Sequence, residues 1–126
     1  MTTNDAARQL VDRLVSAYNS RTTEALTDLY HPDVTYWSAM EGTSVGRQAV
    51  IDHIEHLHTV LPDERMRAKT VTADDEVIVV EFESTGTSAG GRAYRIEFTE
   101  VFEVVDGKVT SIKVYLDPEQ VTAISG

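Results

Sequence analysis

Glu100 falls between Phe98 and Phe102 in a row that, read in steps of two from Tyr94, also takes in Ile96. Arg95, Glu97, Thr99 and Glu103 occupy the alternate positions, so the stretch reads as a strand with one apolar face. A carboxylate set into such a face is expensive unless it is hydrogen-bonded, paired or protonated. Inside a pocket its pKa would rise, and it could donate a hydrogen bond to a ligand carbonyl or act as a general acid or base near neutrality. Two bland alternatives stand beside this: a buried glutamate satisfied by Tyr18, Tyr36, Ser38 or Tyr94, or a bulge that turns the side chain to solvent.

Those four residues lie on expected inward faces and would supply the polar contacts that orient a bound molecule, although tyrosines with buried bodies and hydroxyls at a cavity edge are also ordinary core residues. Met40, Phe82, Phe98, Val114 and Leu116 are the expected apolar wall. No metal site is expected. His53 and His56 share a helix face at i and i+3, His58 falls elsewhere near the cavity rim, and no suitable carboxylate pair accompanies them. His31, before Pro32, reads as structural. Ser38 belongs to no recognisable Ser-His-Asp arrangement, and Gly90-Gly91 reads as a hairpin turn rather than a phosphate loop. No second acid is identified opposite Glu100.

The elements that must position these residues follow from hydrophobic spacing. Ala7, Leu10, Val11, Leu14, Ala17 and Tyr18 recur at helical intervals within 5–19, and Thr22 is placed to cap a short helix carrying Ala25, Leu26 and Leu29. His31-Pro32 ends it. Residues 34–38 alternate as a strand, 41–44 read as a turn-rich loop, and 46–59 form a third helix with Val50, Ile51, Ile54 and Leu57 on its stripe. Strands are expected over 66–72 and 77–84, with a loop over 85–91. A long hairpin then turns at Asp106-Gly107, its second strand carrying Val109, Ile112, Val114 and Leu116 opposite Lys113, Tyr115 and Asp117. At most one helical turn is expected over 118–124. Three helices cannot cover both faces of such a sheet, so an α+β arrangement follows, with the helices packed into the concave side of a curved, mostly antiparallel sheet and a cavity between the layers.

The 126 residues suit one domain over 1–126, and eleven basic against twenty-one acidic residues give a formal charge of -10. That balance disfavours nucleic acid and anionic membrane as partners, since both demand a basic face. With no cysteine there is no disulfide framework and no thiolate chemistry. The opening residues lack a signal-type apolar core and no run is long enough to span a bilayer, so a cytoplasmic chain is expected.

The runs Ser16-Ala17-Tyr18-Asn19, Leu29-Tyr30-His31-Pro32-Asp33-Val34, Gly46-Arg47-Gln48-Ala49-Val50 and Val101-Phe102-Glu103-Val104-Val105-Asp106-Gly107-Lys108-Val109 resemble the SnoaL-like branch of the nuclear transport factor 2-like superfamily. The resemblance implies a cone-shaped α+β barrel. Relatives include ketosteroid isomerases, polyketide cyclases and limonene epoxide hydrolases, together with proteins that only bind or transport, so the fold leaves the reaction open. The isomerase tyrosine falls on Leu14 and its base aspartate on Ser38, while its protonated aspartate falls on Glu100. The aspartate used by the cyclases and epoxide hydrolases falls on Val114, and the hydrolase tryptophan on Ile112. Asp117 resembles a family-typical acid but points away from Glu100. The expected protein encloses an apolar carbonyl-bearing small molecule without a cofactor and acts on it by acid–base chemistry of the isomerase, cyclase or hydrolase kind; the alternatives are a non-catalytic binding protein for a hydrophobic small molecule and a dimeric interaction scaffold. Its outward row of Glu97, Thr99, Val101, Lys113 and Tyr115 suits a homodimer.

Overall fold

In a computed structural model, residues 3–125 are described. The order is α1 (Thr3–Ser20), α2 (Thr23–Leu29), β1 (Tyr30–Ser38), β2 (Gly42–Val45), α3 (Arg47–Val60), β3 (Arg65–Asp74), β4 (Val77–Thr87), β5 (Ala93–Val105), β6 (Lys108–Tyr115) and α4 (Pro118–Ser125). The strands form one six-stranded sheet in the order β2-β1-β6-β5-β4-β3. Every neighbouring pair is antiparallel except β1 and β6, which run parallel. The architecture is α+β, as the hydrophobic spacing requires, and the curved sheet stays open, with β2 and β3 as its edges.

Four local expectations are corrected. Residues 42–45 are strand rather than loop, because Thr43 and Ser44 pair with Trp37 and Tyr36 and extend the sheet edge. The segment after Pro118 forms an eight-residue helix rather than a single turn. Asp117 starts it by accepting a hydrogen bond from the Glu119 amide on Oδ1 at 3.0 Å. Thr22 occupies the N-cap position of α2 but makes no side-chain cap bond. The loop between β4 and β5 is shorter than expected, since β4 runs on to Thr87 and β5 begins at Ala93.

Strand alternation places the core. Val34, Tyr36, Val80, Phe82, Phe102, Val109, Ile112 and Val114 from the sheet are buried against Ala7, Leu10, Val11 and Leu14 of α1, Leu26 and Leu29 of α2, and Val50, Ile51 and Ile54 of α3. In β6 both Val109 and Ile112 are buried although they lie three positions apart, an odd number that strand alternation would put on opposite faces. The register shift between Glu103 and Val104 explains this: Thr110 is an extra residue in the ladder, and the bulge returns Val109 to the core side. The β5–β6 turn carries Asp106 at φ 52 and Gly107 at φ 76, the two left-handed positions that a two-residue hairpin needs for its twist to match the strands.

Leu10 is 5% exposed and packs in this core away from any cavity, so Leu10→Ala is expected to destabilise the protein by about 2–5 kcal/mol. Urea unfolding followed by far-UV circular dichroism measures it, and a loss under about 1 kcal/mol would contradict the packing described.

Candidate functional site

Between the helices and the inner face of the sheet lies a cavity of about 560 Å³. Such a volume suits a ligand of one to a few fused rings. Eight of the nine side chains expected around Glu100 line it: Tyr18, Tyr36, Ser38, Met40, Phe82, Phe98, Val114 and Leu116. Tyr94 does not. It shares the face of Ile96 and Phe98 but lies further along β5, packed with Leu61 and Ile96 and crossing Gly86. Gly86 leaves room for that ring, since a Cβ would stand 2.9 Å from the Tyr94 hydroxyl and force it to shift. Val121 and Ile124 of α4 contribute further wall, and exposed Met40 and Val60 mark where the lining meets solvent.

Glu100 points into this cavity from the middle of β5, paired to Val80 on one side and Val114 on the other. Its residual accessible surface belongs to the cavity lining, while surrounding protein strips water from the charged form. Burial, and secondarily the charge of Glu64, pushes its pKa from an ordinary 4.5 up to about 8. The bulge that would turn it to solvent is not there; the nearest irregularity in β5 lies past Glu103. Among the described residues no side chain hydrogen-bonds its carboxyl. The four residues considered as partners make other contacts or none: the Ser38 hydroxyl, for example, accepts from the Met40 amide at 3.2 Å.

Glu64 is the residue the sequence did not disclose. It sits in the segment between α3 and β3, is 5% exposed and lines the same cavity. The Tyr18 hydroxyl donates to its Oε1, and the Ser84 hydroxyl donates to its Oε2 at 2.5 Å. Both bonds favour the carboxylate, each by about 1.5–3 kcal/mol for a charged acceptor. Three clamps hold the segment. Arg21 donates to the main-chain oxygens of His58, Leu61 and Glu64 at 3.2, 3.0 and 3.0 Å, satisfying carbonyls at the end of α3. Asn19 closes a pair of bonds with the Met66 backbone at 2.8 and 2.9 Å. Asp63 accepts from the Thr87 amide and hydroxyl at 2.9 and 2.6 Å, which holds its carboxyl below the usual range.

Tyr18, Tyr30 and Tyr36 all have phenols raised by burial and by the charge of neighbouring acids, so they act as neutral hydrogen-bonding groups. The histidines stand behind the lining. His58 packs edge-on against Tyr18, and burial and then Arg21 lower its pKa. His53 lies under Tyr36, its Nε2 3.4 Å from Glu41 Oε1, and holds the Glu41 carboxyl down. His31 is structural, its Nδ1 accepting from the Asp33 amide at 3.0 Å. Among the described residues no group of three or more histidine, cysteine or acidic side chains is placed to hold a metal. No described helix is long and apolar enough to cross a membrane.

A curved sheet wrapped on helices around an acid-bearing hollow defines the nuclear transport factor 2-like class of fold. The chain belongs to the SnoaL-like domain family, whose model matches residues 11–112. Solved structures agree on the fold. A protein assigned as a SnoaL-like polyketide cyclase from Jannaschia sp. CCS1 superposes with a TM-score of 0.87 at 19% identity, over 100% of this chain and 96% of that one. A nuclear transport factor 2-like protein of unknown function from Burkholderia pseudomallei K96243 gives 0.86 at 22% identity over 100% of both chains. TerC, co-crystallised with polyporic acid, gives 0.84 at 20% identity over 94% of this chain and 97% of its own. No protein of curated function matches the sequence.

The raised pKa of Glu100 links proton binding to stability. Below about pH 4.5 folded and unfolded forms are both protonated at this position. Between about 4.5 and about 8 the native state holds a proton the unfolded chain has released, so stability falls as pH rises, by up to about 1.4 kcal/mol per unit, and levels off above 8. Urea unfolding of the wild type and Glu100→Gln across this range is expected to differ by that slope, and parallel curves would contradict it.

Proposed function

We propose that this protein encloses an apolar, carbonyl-bearing metabolite of steroid, terpene or polyketide size and acts on it by acid–base chemistry of the isomerase, cyclase or hydrolase kind. The single observation that carries the reading is Glu100, desolvated in the wall of a cavity lined mainly by apolar side chains and held protonated at neutral pH. A protonated carboxyl donates a hydrogen bond to a carbonyl oxygen and can pass it a proton as charge develops there. Tyr18, Tyr36 and Ser38 orient the ligand, and Met40, Phe82, Phe98, Val114 and Leu116 give it apolar contact. Tyr94 has no part in this assignment. The family's several aspartate-based mechanisms do not carry over, because Leu14, Ser38 and Val114 lack the groups they need.

A non-catalytic binding protein for a hydrophobic molecule is the second reading, favoured by those same three positions. The cavity volume argues against a scaffold whose interior is filled by its own side chains. Glu100→Gln separates the first two readings. It is expected to bind a ketone ligand within about threefold of wild type while losing about 100-fold in proton transfer to that ligand, measured by NMR. Equal proton transfer would leave the binding reading.

The protein is proposed to work in the cytoplasm as a homodimer through the outer sheet face. Trp37 packs against Tyr115 there, their rings tilted with centroids 5.4 Å apart, and Val79, Val101 and Thr99 continue the surface. Exposed ion pairs border it: Arg95 with Glu83 and Glu97 at 2.7 and 2.9 Å, and Lys69 with Glu97 at 3.0 Å. Val101→Glu would bury a charge in that contact and is expected to give a monomer in sedimentation at about 10 µM. A wild type that sediments as a monomer there would rule the dimer out.

A further inference from the structure

Glu64 is a buried ionisable group that the reading built on Glu100 leaves without a task. A carboxylate needed only to tie α1 to β4 would have no reason to open onto the ligand space. Each of its oxygens accepts one hydroxyl, from Tyr18 or Ser84, and a carboxylate oxygen offers two lone-pair directions, so both retain one for a ligand. Its main chain is held by Arg21, whose contacts go to backbone oxygens rather than to the carboxyl. Among the described residues the cavity lining contains no lysine, arginine or histidine, but three acids: Glu41, Glu64 and Glu100.

We propose that Glu64 is the second proton-handling group of this cavity, the carboxylate that removes a proton from the carbon beside the ligand carbonyl while Glu100 serves the carbonyl oxygen. The inference rests on the carbonyl-ligand reading and narrows it. The substrate class becomes carbonyl compounds with an acidic neighbouring C–H, uncharged rather than anionic, since an anion would meet acids with no cation in the lining.

The step balances without any further reagent. The C–H bond breaks and its proton goes to Glu64. The electron pair of that bond becomes the carbon–carbon double bond, the carbonyl pair moves to oxygen, and the oxygen takes the proton of Glu100. Glu64 is then neutral and Glu100 charged, so the cavity holds the same total charge throughout. When Glu64 swaps that proton with solvent before returning one to the same carbon, the carbon's hydrogen is exchanged. Return to a conjugated carbon moves a double bond. In either case the enol oxygen gives its proton back to Glu100.

The division of labour follows from the surroundings. The groups facing the two carboxyls are Tyr18 from α1, Tyr30 and Tyr36 from β1, Ser84 from β4 and Tyr94 from β5, with Arg21 behind the Glu64 main chain. Two hydroxyl donors go to Glu64 and none to Glu100 among the described residues, and donors of this kind favour the charged form of a carboxyl, which assigns Glu64 the accepting role and Glu100 the donating one.

The probe is 2-tetralone, a bicyclic ketone with acidic C–H bonds beside its carbonyl, incubated with the protein in D2O and followed by proton NMR. The wild type is expected to accelerate loss of those signals over buffer. Glu64→Gln is expected to bind the ketone within about threefold and to lose about 100-fold of that acceleration. Ser84→Ala removes one donor from the carboxylate and is expected to change the pH profile of the exchange, a change that a purely structural Glu64 would not produce. Wild-type exchange rates in Glu64→Gln, or an unchanged pH profile in Ser84→Ala, would overturn the inference. If Glu100→Gln alone abolishes exchange, the Glu100 reading stands and this one falls. If the ketone binds but no exchange is accelerated, only binding survives, and if it does not bind, both readings fall.

Discussion

Two carboxyl groups share one apolar hollow, and low polarity makes two negative charges side by side there prohibitively expensive. The chain resolves that conflict with hydroxyls. Tyr18 and Ser84 both donate to Glu64, bonds that favour its charged form, while burial pushes the pKa of Glu100 on β5 up to about 8. The rest of the architecture serves this asymmetry. The Arg21, Asn19 and Thr87 clamps fix an irregular segment where Glu64 must stand, and the regular ladder of β5 between β4 and β6 fixes Glu100.

The two acids were not equally legible in the sequence, and the difference is physical. Glu100 lies in a strand whose side chains alternate strictly from Tyr94 to Phe102, so a period of two places it on the inner face before any coordinates are known. Glu64 follows Pro62 and Asp63 and precedes Arg65, a run that reads as solvated turn, and no periodicity governs a segment without repeating dihedrals. Its burial depends on long-range contacts with Tyr18, Arg21 and Ser84, none near it in sequence. Tyr94 shows the complementary limit. Alternation gives the face correctly but says nothing about how far along the strand the hollow extends, and two residues of strand span about 6–7 Å.

The same division holds for the fold. Helices α1 to α3 and the last four strands follow from spacing and turn chemistry, including the Asp106-Gly107 hairpin. Strand β2 is invisible to spacing because Gly42 to Val45 has an exposed edge and no apolar row. Residues 118–125 carry only a weak apolar stripe, and it takes Val121 and Ile124 meeting the hollow to make their helix worth forming. Belonging to the SnoaL-like family accounts for the frame but not for the chemistry, since Leu14, Ser38 and Val114 depart from the acids and tyrosine of its better-known members.

Helix α4 is fastened differently from the sheet it leans on. Its tethers include the Glu97 amide to Gln120 at 2.9 Å and the Ala89 amide to the Ile124 carbonyl at 3.3 Å. Detaching these eight residues would break fewer main-chain bonds than separating strands, and would uncover the side of the cavity that Val121 and Ile124 line. On the proposed function, an apolar guest would then enter by a local excursion of α4 that leaves the frame holding both acids intact.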